Sequence, residues 1–161
     1  MYDCFMKVQL NILTMTSIIS FPASAAYKAC WENAANRYNI PVVVLKAIAH
    51  VESRNNPTAS RKNKNGSYDY GLMQINTRWL RYLKGYGITE ESIKKPCTNI
   101  MVGAWILKQE IIRFGFNWQA VGAYHAGAFT QRTRDKKVVR YKEYSAKVYR
   151  YIESQRSQVQ K

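Results

Sequence analysis

Acidic side chains are scarce in this chain: 10 Asp and Glu stand against 25 Lys and Arg, leaving a formal charge of +15. A surface so positive favours an anionic partner. Nucleic acid is one such polymer, but the cations are scattered and there is neither an aromatic RNA-binding signature nor zinc-finger spacing, so no nucleic acid is expected. Two histidines and three cysteines form no ligand cluster, so no metal and no cofactor are expected. With only 4 prolines there is no Pro- and Ser-rich linker, nor any internal repeat or low-complexity tract, and the chain reads as one domain and a monomer. Alternating strand patterns are rare, whereas apolar residues recur at spacings of three and four, so the fold should be mainly α.

No apolar run is long enough for a membrane span. The run over residues 8–21 is broken by Gln9 and Asn11 and is short for a bilayer core of about 30 Å. Lys7 precedes it, Pro22 ends it, and Ala23-Ser24-Ala25 supplies small residues ahead of Ala26. That pattern is a signal peptide over residues 1–25, with export to the periplasm or cell envelope. Removing it takes Cys4 and leaves Cys30 and Cys97, which an oxidising compartment would join; two buried thiols are the alternative. For an exported cationic chain, carboxylate-rich peptidoglycan is the first candidate partner and an anionic lipid surface the second.

The mature domain occupies residues 26–152, followed by a polar tail over 153–161 that is expected to fray. Helices are expected over residues 29–38, from Pro41 to about Glu52, over 76–86, briefly after Thr89, over 100–114 with Thr98 or Asn99 as cap, after Asn117, and through Tyr144, Val148 and Ile152. Val102, Trp105, Ile106 and Ile112 should face the core, as should most tryptophans, Trp118 among them. Residues 54–68 are a long polar loop, with a small hairpin expected at Asn65-Gly66. The basic stretch over 132–142 reads as a solvated face.

Glu52 closes an apolar helical run. Burial and the C-terminal end of a helix dipole both disfavour a charged carboxylate, so a raised pKa is expected there. Such an acid can protonate the bridging oxygen of a glycosidic bond, whose sugar alkoxide is otherwise a poor leaving group.

Three segments follow in order: Ala47-Ile48-Ala49-His50-Val51-Glu52-Ser53, Gly71-Leu72-Met73-Gln74-Ile75-Asn76, and Ala123-Tyr124-His125-Ala126-Gly127. Together they resemble the signature motifs of the soluble lytic transglycosylase catalytic domain. The Cys30-Trp31 start, Asp69 ahead of Gly71, and Val121-Gly122 narrow the likeness to small exported transglycosylases that accompany type III or type IV secretion or conjugation systems. The resemblance implies an α+β lysozyme-like fold, with a loop or small hairpin beside the cleft. It also implies cleavage of the MurNAc–GlcNAc bond of peptidoglycan to 1,6-anhydro ends, with secretion-apparatus proteins as further partners.

On this likeness Glu52 is the single acid and base, and Tyr124 is the tyrosine that orients it. Ser53, Gln74 and Asn76 line the groove, and Tyr144 matches the tyrosine of the closing helix. His125 stands where the family usually has Asn, as a candidate substrate contact. Asp69 lies 17 positions after Glu52, the separation of the paired carboxylates in lysozyme, and is assigned an electrostatic catalytic role. Two rival outcomes stay open: a hydrolytic muramidase on the same fold, and a peptidoglycan-binding protein without activity.

Overall fold

The computed structural model describes residues 27–126 and 134–159, with backbone alone for residues 126, 134–139 and 159. The leader expected over residues 1–25 lies outside the described residues, as does part of the basic stretch. Helix α1 (Lys28–Tyr38) buries Trp31, Ala34 and Ala35 and stops where Asn39 turns left-handed. Pro41, with φ −58°, opens α2 (Val42–Ser53), whose buried face carries Val44, Leu45, Ala47, Ile48 and Ala49. Arg54 then takes φ 55°, and its N–H returns to the His50 carbonyl at 2.8 Å. That closure satisfies the last turn and leaves Glu52 at the helix end.

The polar segment that follows is a three-stranded antiparallel sheet in the order β1-β2-β3, built from β1 (Ser60–Lys62), β2 (Tyr68–Tyr70) and β3 (Ile75–Asn76). Its hairpin turns around Asn65-Gly66, where Gly66 has φ 81° and Asn63 N–H bonds Ser67 O at 2.8 Å. The register sets Arg61 opposite Asp69, and Asp69 opposite Asn76.

Residues 76–86 do not form one helix. Asn76 stays extended in β3 and caps a 3₁₀ turn (Thr77–Trp79), followed by α3 (Leu80–Leu83) and a second 3₁₀ turn ending at Gly87. A Thr89–Ser92 capping box starts α4 (Glu90–Lys94). Helix α5 (Pro96–Phe114) begins at Pro96, earlier than a Thr98 or Asn99 cap would allow, because proline suits the first helical position. Cys97 in its first turn is bridged to Cys30 of α1, with Cα atoms 5.2 Å apart.

Asn117 accepts from Gln119 N and Ala120 N to cap α6 (Trp118–Ala126). The closing helix α7 (Arg134–Val159) runs on through residues 153–159, where a fraying tail is expected from the polar sequence. A Glu153–Arg156 pair at 2.9 Å supports that last stretch.

The core gathers Leu45 and Ile48 of α2, Met73 of the turn before β3 and Ile75 of β3, Ile100 and Leu107 of α5, and Val148 of α7. Two expected core residues are outside it. Ile112 is 70% exposed and Trp118 is 45% exposed, because the last turn of α5 and the first of α6 project past the packed layer. Among the described residues no helix is long and apolar enough to cross a membrane.

Candidate active site

Gly122 of α6 lets the closing helix come close, since a Cβ there would collide with the backbone and ring of Tyr141. That approach delivers Tyr144 to Glu52. The Tyr144 hydroxyl donates to Glu52 Oε1 at 2.8 Å, and His125 Nδ1 lies 3.5 Å from the same oxygen. His125 also stacks on the Tyr144 ring, with centroids 4.6 Å apart and planes 7° from parallel. Among the described residues both of these contacts fall on Oε1, and no donor is bonded to Glu52 Oε2.

The Glu52 side chain is only 9% exposed and opens into a polar pocket of about 180 Å³. Arg61, His125, Arg140, Glu143, Tyr144 and Lys147 share its wall. Burial, and then the charge of Glu52, holds the Tyr144 phenol well above its usual value of 10.0. Tyr144 therefore stays a hydrogen-bond donor. Neither the hollow beside Phe116 and Trp118 nor the one beside Trp79 and Tyr82 contains Glu52.

Tyr124 does not make the contact expected of it. Its hydroxyl donates to Met73 O at 2.7 Å, fastening α6 to the second motif, while burial and the charges of Glu52 and Asp69 raise its pKa strongly. The orienting bond to Glu52 comes from Tyr144 instead, because α7 passes directly over the end of α2. Ser53 is likewise a clamp, donating to Leu72 O at 2.8 Å and to Ala49 O at 3.1 Å. Gln74, held at φ 49°, turns its amide back to Gly71 O at 3.0 Å. Asn76 is spent on Asp69 at 2.6 Å, on Ser67, and on the Arg78 N–H. None of these three residues lines the Glu52 pocket.

Asp69 is 5% exposed, and its two oxygens accept from Arg61 Nε and Nη2, Asn63 Nδ2 and Asn76 Nδ2. It ties the three strands together, and it does not line the Glu52 pocket. Three of these donors converge on Oδ2 and one on Oδ1, so the carboxylate is held within the sheet, and any electrostatic role acts from there rather than by lining the pocket. Its reach to the cleft runs through Arg61. Behind the second motif, Asn99 is fully buried, accepting from Met73 N and donating to Tyr70 O and Ile93 O. Gly71, at φ 74°, must lack a Cβ because Asn99 occupies that space.

A family model described as Transglycosylase SLT domain matches residues 29–147. The chain belongs to this transglycosylase family. By class it is a lytic murein transglycosylase. It is 43% identical over 108 residues to protein IpgF of Shigella flexneri, covering 66% of this chain and 71% of that one. It is 42% identical over 115 residues to invasion protein IagB of Salmonella typhi, covering 71% and 72%. The crystal structure of an inactive mutant of the lytic transglycosylase Slt from Pseudomonas aeruginosa shares the fold, with a TM-score of 0.62 and 23% identity. That match covers 79% of this chain but 23% of the larger enzyme.

Within the SLT transglycosylase frame, sequence reasoning passed over Arg61, Arg140, Glu143 and Lys147 on the pocket wall. A two-residue turn at Asn65-Gly66 would set Lys62 opposite Asp69, and the observed register sets Arg61 there instead. The three residues of α7 carried no signal, because a basic helix face looks the same whether or not it borders a cleft.

Proposed function

We propose that this SLT transglycosylase cuts the β-1,4 bond between MurNAc and GlcNAc of peptidoglycan without consuming water, using Glu52 as both acid and base. The observation that carries this reading is the Glu52 carboxyl itself: nearly buried, oriented by Tyr144 through Oε1, and lining a polar pocket. Glu52 donates its proton to the bridging oxygen while the acetamido oxygen of the same sugar attacks the anomeric carbon, and the C1–O bond breaks. The ionised Glu52 then takes the proton of the C6 hydroxyl. That oxygen displaces the acetamido group at C1 and closes the 1,6-anhydro ring, returning Glu52 to its starting state.

Mass spectra of muropeptides released from purified sacculi test the reaction. Anhydro products one water lighter than hydrolytic ones are expected from the wild-type protein, and none from Glu52→Gln. Products bearing only reducing-end MurNAc would make this a muramidase, with Glu143 as the second carboxylate of the pocket. Binding of sacculi with no release of fragments by the wild-type protein would leave a wall-binding role alone.

The same reading places the protein in the periplasm after cleavage between Ala25 and Ala26, opening the wall for a type III or type IV secretion or conjugation assembly. The leader pattern and the likeness to an invasion protein support it. Amino-terminal sequencing of the periplasmic protein should begin at Ala26; a chain retained unprocessed in the cytosol refutes export.

A further inference from the structure

A strip of cations leaves the Glu52 pocket along the seam between α2 and α7. Val51 and Lys147 line that pocket and also an adjoining open hollow of about 290 Å³, whose wall continues through His50, Arg54, Arg150 and Tyr151. The hollow is floored by His50 stacked on Tyr151, with ring centroids 4.0 Å apart. Arg140, Lys147 and Arg150 lie at helical spacing on one side of α7, and the left-handed closure of α2 presents Arg54 from the other wall.

All of these cations are exposed. Arg61 is committed to Asp69 at 2.7 Å, but among the described residues no carboxylate forms an ion pair with Arg54, Arg140, Lys147 or Arg150. Elsewhere on the surface Lys94, Arg113 and Arg156 each have an acidic partner on their own helix. Glu143 borders the pocket on α7, and the outer hollow has no acidic lining residue.

This inference rests on the reaction proposed above. The ring attacked at C1 is muramic acid, and its peptide stem leaves from the lactyl ether at C3 of that same ring. The stem therefore departs close to Glu52, and it carries free carboxylates. The geometry points to Arg54, Lys147 and Arg150, entered past Arg140, as a docking track for the acidic peptide stem of the substrate. The protein accordingly cuts stem-bearing strands in preference to bare glycan. Each contact is solvent-exposed and modest, so the preference comes from several together and weakens with salt.

The test compares soluble glycan strands that keep their peptides with the same strands stripped by an amidase. For each, kcat/KM and binding affinity are measured with the full chain and with the double variant Arg54→Asn, Arg150→Gln. Both substitutions lie in the outer hollow, and Asn tolerates the left-handed backbone of position 54. The wild type should favour stem-bearing strands, and the variant should lose roughly three- to tenfold of that ratio. Raising salt should erode the wild-type ratio in the same way. An unchanged ratio, or an equal loss on both strands, overturns the proposal. If no anhydro product arises from either strand, the reaction reading has failed, and the affinity ratio alone then decides whether the track exists.

Discussion

The Tyr144 hydroxyl donates to Glu52 Oε1 at 2.8 Å across 92 positions of sequence, so the closing helix supplies the partner of the acid. A hydrogen bond to a carboxyl that becomes charged in the reaction is worth about 1.5–3 kcal/mol. Tyr144→Phe should therefore lower kcat on sacculi by roughly 10- to 100-fold while leaving the thermal midpoint nearly unchanged. Turnover at the wild-type level would remove Tyr144 from the mechanism.

Asp69 gives a contrasting expectation. Replacing it with Asn sets an amide donor among Arg61, Asn63 and Asn76, whose own donors converge on the two carboxylate oxygens. Asp69→Asn should cost about 1–3 kcal/mol in urea unfolding, with any loss of turnover following the loss of folded protein. A variant of wild-type stability that turns over far more slowly would restore the direct catalytic role.

Glu110 on α5 is 6% exposed, and among the described residues its Oε2 has no hydrogen-bond partner. Burial raises its pKa above the usual 4.5, partly opposed by Arg113 at 3.6 Å. The folded state thus binds the proton more tightly than the unfolded chain, and that contribution is full below pH 4.5 and lost as pH rises through the higher folded value. Glu110→Gln removes the penalty of ionisation. It should be more stable than wild type by about 1 kcal/mol at pH 7, with the gap closing toward pH 4 in chemical denaturation.

The Cys30–Cys97 bridge closes a sequence separation of 67 between α1 and α5. Reduction should destabilise the protein by about 4 kcal/mol through the freed unfolded chain, read as a lower denaturation midpoint in dithiothreitol. No shift on reduction would show that the α1–α5 packing holds without it.

Much of the site was legible beforehand because its signals are local. Apolar spacing over 42–53 placed Glu52 at a helix end, and Asn65-Gly66 marked the hairpin. Motif order carried the family. The contacts that the sequence did not reveal share one cause. Ser53, Gln74, Asn76, Asp69 and Tyr124 all bear groups able to bind sugar, and each also holds a backbone or side-chain partner that spacing does not reveal. Likewise Asn99 resembles a helix cap in sequence, yet it is buried beneath the second motif.

Taken alone, the order of residues determined the helical class, the position of the acid and the turn beside it, since periodicity and turn chemistry act within a few residues of chain. Tertiary structure decided which tyrosine touches Glu52, that Asp69 is enclosed by donors, and that cations of α7 border the pocket. Those outcomes depend on how closely α6 and α7 approach and on the register of three short strands. Packing sets both, between segments that lie far apart in sequence.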